Sequence, residues 1–444
     1  MTRRWGAVPI AVALLVLAAC GDGGGDTTTP TSQTQNVFEQ QRTDGVQATL
    51  AKLSAAQKAG DANAIGALVD VTAAPAFRQT LVAEGTAIHD VGLSTLEYRI
   101  DPASSGGLGE QLLPAAVQSR LDDAGSSDSW VVPTVLRYAL AGVDEPPVTV
   151  TDPLVFARYG DDWKIVGQAG PLLGTSAAPP PEFFDFPGVA ARRVATGGKQ
   201  SVVLDYPGSR ALGARLQSAM PGAVAAVAAF WGPDWPRRTV VVATDSTTVF
   251  SALSRSAPAD ASAAAAATVS ASDDAVGGYT VGQRVVFTPG AITRLPGPAL
   301  DVVLRHELTH VAARTSTKPT AATWVTEGVA EYVGRAGTYR SISDAAPDLM
   351  AEVAAGSVPT GLPADDAFTV SGAGAPIAYQ TAWSFAAYVA QTHGAADLKK
   401  LYLSLAGGPS TPAQQAQAMT AALGGPGVAV ISGWQQWLRD AARR

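Results

Sequence analysis

The chain has 444 residues, enough for two or three domains with sizeable cores, and carries 31 basic against 38 acidic side chains, a net charge of −7. That balance leaves no basic stripe and argues against a nucleic-acid partner. With one cysteine, a disulfide framework is excluded.

At the N-terminus, Arg3 and Arg4 precede an apolar run from Ala7 to Ala19 that only Pro9 interrupts. The run is too short for a membrane span, and residues 1–20 have the layout of a secretory signal peptide. Leu17-Ala18-Ala19-Cys20 resembles the bacterial lipobox. That resemblance implies cleavage before Cys20, a lipid on that cysteine, and a mature protein anchored to the outer face of the bacterial cell membrane. Residues 21–35, GDGGGDTTTPTSQTQ, offer nothing from which to build a core and are expected to be a flexible tether.

Residues 36–173 are expected to form an accessory domain. Val46, Leu50 and Leu53 recur at helical spacing, and Asp61-Ala62-Asn63 opens a second amphipathic run through Leu68. After Ile88 the pattern turns to strands at Ser94–Ile100, Trp130–Ala141, Val148–Arg158 and Trp163–Val166, with Gly160-Asp161-Asp162 as a hairpin turn. Helices followed by antiparallel strands predict an α+β domain with a curved sheet. The closing stretch Phe156–Ile165 is similar to the last hairpin of NTF2-like domains. It implies an NTF2-like or cystatin-like fold and a spacer or substrate-positioning role. Trp163 reads as a core aromatic and His89 as a surface or cap residue. Residues 174–199, with Ala177-Ala178-Pro179-Pro180-Pro181 and Gly197-Gly198, are expected to be a linker.

From residue 200 to 444 a second domain is expected. Ser201–Tyr206 is a strand, Ser209–Trp231 a helix, and Arg238–Thr244 a buried strand. The alanine run Ala263–Ala267 is undecided between helix and loop, and Val281–Thr288 is a further strand. Gly297-Pro298 starts a helix in which Leu304, Leu308 and Val311 mark the buried side. Trp324 begins another, with its ring expected against the first. Helices follow at Ser343–Ala355, Ala378–Gln391, Leu398–Leu405, Thr411–Leu423 and Gly433–Ala442. Between the first two lies a loop anchored by Leu362 and Phe368. His393 reads as a helix cap.

Within this half, His306-Glu307-Leu308-Thr309-His310 carries two of the chain's four histidines. Residues four apart on a helix share a face, so His306 and His310 can offer their rings to one metal ion. Glu307 sits beside them, where a carboxylate can take a proton from water activated by zinc. A catalytic zinc site needs a third protein ligand, and Glu327, seventeen residues past His310, is the best candidate. Glu331, one turn further, suits a carboxylate that accepts the free ring N–H of a ligating histidine.

Leu304–His310 and Trp324–Tyr332 together resemble the gluzincin metallopeptidases, most closely the peptidase MA-like group. The resemblance spans roughly Ser201 to Leu438, with its specificity in those two stretches. It implies a zincin-type, thermolysin-like domain with a mostly helical C-terminal half. In it His306, His310 and Glu327 bind zinc, Glu307 is the general base, and Glu331 supports a histidine. The substrate would be a peptide or protein, paired with an edge strand for which Gly278–Phe287 is the candidate, with an ordinary inner strand the equal alternative for that stretch. Related enzymes often stabilise the oxyanion with a tyrosine or histidine downstream of the glutamate. Tyr379 is the candidate here, with Tyr332, Tyr339 and Tyr388 also nearby in sequence and a core position the default for each. The competing reading is a lipid-anchored envelope binding or scaffold protein with a catalytically silent zincin fold.

Overall fold

Val46, Leu50 and Leu53 lie on the buried side of the helix Val37–Ala59 in the computed structural model, which describes residues 37–101, 111–175, 179–257, 263–271, 275–276, 279–369 and 371–443. The expected signal peptide, Cys20 and tether lie outside the described residues. Asp61 caps the next helix, Ala62–Leu68, by accepting a 2.9 Å hydrogen bond from the Ala64 amide. A third helix, Pro75–Val91, was not separately legible before Ile88. Proline occupies its first turn, and left-handed Gly92 ends it.

Six antiparallel strands follow: β1 (Leu93–Ile100), β2 (Asp128–Val132), β3 (Thr134–Leu140), β4 (Val148–Thr151), β5 (Leu154–Tyr159) and β6 (Asp162–Gln168). They pair as β1-β3-β4 and β2-β5-β6. The expected strands Trp130–Ala141 and Val148–Arg158 are each divided, at Pro133 and at Asp152-Pro153. Proline has no N–H for the ladder, so the chain turns there from one sheet to the other. The carbonyls at these corners are kept bonded, Pro133 by the Asp101 amide at 2.8 Å and Pro153 by the Ala169 amide at 2.8 Å. Trp163 is a core residue, as its sequence context suggested. Exposed His89 brings Nδ1 to within 3.0 Å of the Lys58 carbonyl, at the end of the first helix.

The segment expected as linker is built into the fold. Phe183 and Phe184 are buried and meet Tyr138 edge-on at 5.8 and 5.3 Å. Residues Ala190–Thr196 form β7, paired antiparallel with β8 (Lys199–Asp205). The continuous backbone ladder with β8 holds this edge strand despite the proline and glycine signals on either side. Strands β9 (Val240–Ala243), β10 (Ala266–Val269) and β13 (Arg284–Phe287) complete a five-stranded sheet in the order β10-β13-β9-β8-β7. The short pair β11 (Ala275–Val276) and β12 (Tyr279–Thr280) stands apart.

Both faces of the five-stranded sheet are covered, which is why its inner strands read as unbroken apolar runs. Val203, Val241, Val285 and Phe287 face the C-terminal helices. Val202, Leu204, Val240, Val242 and Val286 share a core with Leu50, Leu53 and Tyr138 of the N-terminal half. Each fully buried valine or leucine contributes roughly 1.5–3 kcal/mol. The same seam holds a buried two-bond ion pair, Arg284 to Asp144 at 2.6 and 2.9 Å.

The helix Arg210–Trp231 joins the parallel strands β8 and β9. Beyond β13 the chain is mostly helical, with a histidine helix (Gly297–Ala313), a glutamate helix (Thr323–Arg335), a tyrosine helix (Ala375–Thr392), then Ala395–Leu405, Pro412–Leu423 and Gly427–Ala442. The expected helix Ser343–Ala355 is broken at Ala346-Pro347 into Ile342–Ala345 and Pro347–Ala354. Phe368 anchors its loop by meeting Tyr379 edge-on at 5.2 Å, and His393 is the C-cap of the tyrosine helix. Trp324 is buried, but its aromatic partner is Phe385 of the tyrosine helix, 5.5 Å away, and its indole N–H donates to Gln415 at 3.2 Å. Overall the chain is α+β, with mixed helices and strands first and a mostly helical C-terminal half. No helix among the described residues is long and apolar enough to cross a membrane.

Candidate metal centre

The histidine helix packs with Leu300, Leu304, Leu308 and Val311 in the core, which turns His306 and His310 toward a cleft. The glutamate helix crosses it closely because Gly334 has no side chain. A Cβ there would lie 2.8 Å from the Val302 carbonyl oxygen and 3.4 Å from the His306 Cβ. On the other side, a Cβ at Gly328 would come within 2.7 Å of the Ala382 carbonyl oxygen of the tyrosine helix. The glycine following Glu327 is therefore a packing requirement that fixes the depth of that carboxylate.

These approaches bring three side chains together. His306 Nε2 and His310 Nε2 are 3.1 Å apart, and Glu327 Oε2 lies 3.2 Å from the first and 3.5 Å from the second. Among the described residues this is the one set of three such groups close enough to hold a metal ion. Burial alone would push the His306 pKa down, but the bonds to Glu327 and Glu331 outweigh it and raise it well above 6.5. Glu327 shows the complementary balance: burial opposes its ionised form, while His310 and His306 pull its pKa far below the usual carboxylate range.

Glu331 takes the other ring nitrogen, with Oε1 3.4 Å from His306 Nδ1. Its second oxygen accepts from Arg335 Nε, and Arg335 Nη1 donates to the Ala345 carbonyl. Arg335 also lies over the Trp383 ring, 5.7 Å from its centroid. Despite burial, the bond to His306 and the charge of Arg335 hold the Glu331 pKa below its ordinary value. The chain Ala345, Arg335, Glu331, His306 thus sets which histidine nitrogen faces the other two ligand atoms. The Glu331–Arg335 spacing of four on one helix was a readable sign of this support.

Glu307 is buried, and its Oε2 accepts a 2.6 Å hydrogen bond from Thr268 Oγ1 of β10. The strand beside the cleft is thus β10, whose Ala266, Ala267 and Thr268 line it. This corrects the expectation for Gly278–Phe287. Its regular part, β13, is an inner strand held between β10 and β9. An alanine run shows no alternation, so the edge strand was hidden in the sequence.

Tyr379 lines the same cleft, whereas Tyr332 packs against Phe230 at 5.8 Å, Tyr388 is in the core and Tyr339 is exposed. Burial first, then the charges of Glu327, Glu331 and Glu307, push the Tyr379 pKa far up, so its phenol stays a proton donor at all ordinary pH. Tyr402 is a second cleft tyrosine that the sequence did not single out. Its hydroxyl is 2.6 Å from Thr317 Oγ1, and burial, with a smaller contribution from Glu327, pushes its pKa up to about 12. Arg314, one turn beyond His310, also lines the cleft and donates to Ser270 Oγ at 3.2 Å.

No protein-family model matches the chain, and no curated protein matches it significantly.

Proposed function

We propose that the protein is a zinc-dependent peptidase of the cell envelope, with His306, His310 and Glu327 as the zinc ligands. The observation that carries this reading is the spacing of the three ligand atoms. Donors about 2.0–2.1 Å from one tetrahedral zinc stand about 3.3 Å from each other, and the separations here are 3.1, 3.2 and 3.5 Å. Two imidazoles and a carboxylate are also a donor set suited to zinc with a coordination position left open. Bound zinc supplies a Lewis acid that polarises a carbonyl and brings the pKa of water it binds to roughly 7.

The protein's own groups divide the remaining work. Glu307 takes a proton from the attacking water and passes one to the leaving amine, with Thr268 fixing its orientation. Tyr379 donates to the developing oxyanion. An extended peptide pairs with the free edge of β10, whose small side chains leave the backbone accessible and admit many sequences. This assignment agrees with the resemblance to the gluzincin, peptidase MA-like group. The N-terminal half, read as NTF2-like, gives the sheet its second covering layer. Cys20, in its lipobox-like setting, is the proposed lipid anchor to the membrane.

Metal analysis of the untagged protein beside its Glu327→Ala variant tests the reading. We expect about one zinc per chain, lost in the variant, and peptide hydrolysis abolished in Glu307→Gln with zinc retained. Hydrolysis by the Glu307→Gln protein at the unaltered rate would overturn the mechanism. If zinc is absent under metal-replete conditions, the metal assignment fails.

A further inference from the structure

The N-terminal half contains an open-sided cavity of about 480 Å³, within the size range of small-molecule sites. Leu53, Phe77, Leu136 and Phe184 supply apolar walls, and the stiff run Pro179–Pro181 closes one side. Into this apolar space project four carboxyl groups from three parts of the chain: Glu84 on the helix Pro75–Val91, Asp152 at the β4–β5 corner, and Glu182 and Asp185 after the prolines. Among the described residues, no lysine or arginine lines it.

Three of these acids have structural partners. Asp152 accepts from the Gln168 amide at 3.3 Å, Glu182 from the Tyr138 hydroxyl at 2.5 Å, and Asp185 from the Glu182 backbone N–H at 2.7 Å. Glu84 has no hydrogen-bond partner among the described residues and lines the cavity. Close behind, the completely buried Gln57 is the polar neighbour of the cavity-lining Tyr98. Buried polar groups left without partners are uncommon and call for an explanation. Burial drives the proton affinities of the acids upward, Asp152 to about 6 and Asp185 to about 7, with Glu84 raised as well. A cation placed among these carboxyls would favour their ionised forms and offset the burial and mutual repulsion that push their pKa values up. The acids are too widely spaced to grip one metal ion, since no set of three among them meets the distance that His306, His310 and Glu327 meet.

We propose that this cavity binds an amphipathic organic cation, an amine whose ammonium group pairs with Glu84 and whose apolar body fills the space beneath Pro179–Pro181. The site stands apart from the proposed zinc centre and does not depend on it.

Calorimetric titration of the purified chain with n-octylammonium, below its micellar concentration, tests this, with 1-octanol and octanoate as matched probes. One equivalent of octylammonium should bind with Kd below about 1 mM, and octanol and octanoate at least about tenfold more weakly. Glu84→Gln, nearly the same shape and free of a buried charge, should weaken octylammonium about tenfold or more, with metal content unchanged and unfolding still cooperative. Should that variant fail to fold, Asp152→Asn carries the same affinity comparison. Octanol binding as tightly as octylammonium would overturn the proposal, because the site would then recognise only an apolar chain. Unchanged affinity in the folded variant would overturn it too.

Discussion

Thr268 Oγ1 donates a 2.6 Å hydrogen bond to Glu307 Oε2, so the edge strand beside the cleft and the carboxylate beside the two histidines are held by one contact. In the proposed mechanism this contact aims the general base. Thr268→Val keeps the shape of the side chain and removes the donor. Turnover should fall about tenfold with KM within about twofold of the original and zinc content unchanged, and Thr268→Ser should recover most of it. A Thr268→Val enzyme with full kcat would show that Glu307 needs no such support.

Two tyrosines face the cleft but differ in how their hydroxyls are engaged. Tyr402 is committed to Thr317 at 2.6 Å, while among the described residues no hydrogen bond engages Tyr379. Only an unengaged phenol can turn to a developing oxyanion. Tyr379→Phe should therefore lower kcat about 10²-fold with zinc still bound, and Tyr402→Phe less than about threefold. The reverse ranking would transfer the role to Tyr402.

Glu331 reaches His306 Nδ1 and is itself held by Arg335. Outer partners of this kind typically govern metal affinity by about 10–100-fold. Glu331→Gln should lower zinc affinity by that amount in competition with a chelator, and Arg335→Met should act in the same direction to a smaller extent. Equal affinities in all three proteins would reduce the Glu331 contact to simple packing.

The legibility of this site follows from how local each requirement is. His306, His310 and Glu307 fall within one helical turn, and Glu327 and Glu331 within another, so their spacing alone announces shared faces. The partners from distant sequence were not visible in the same way. Thr268 comes from a strand whose alanines carry no periodicity, and Tyr402 lies seventy-five residues beyond Glu327 in a helix where an apolar pattern says only that it is buried. The segment 183–196 shows the opposite case. Pro179–Pro181 before it and Gly197-Gly198 after it mark a linker by composition, yet Phe183 and Phe184 are buried and strand β7 pairs along its length with β8. Composition reports what a segment can do locally, and only packing decides what it does.

The carboxyl of Asp152 offers a check on the N-terminal cavity that needs no ligand. Burial raises its pKa to about 6, against about 3.9 in an unfolded chain, and the Gln168 bond offsets only part of the rise. Below about pH 4 both states hold the proton, and Asp152 costs nothing. As pH climbs, the unfolded chain ionises first, so stability is lost progressively until the folded carboxyl also ionises near pH 6. The loss amounts to about 2–3 kcal/mol. Asp152→Asn removes the titration, so its stability should gain on that of the wild type by this amount between pH 4 and pH 7, read from urea midpoints at constant m. Parallel pH profiles for the two proteins would mean that the carboxyl is solvated in the folded state. The cavity would then be wetter than its apolar walls indicate, and its hold on a cation correspondingly weaker.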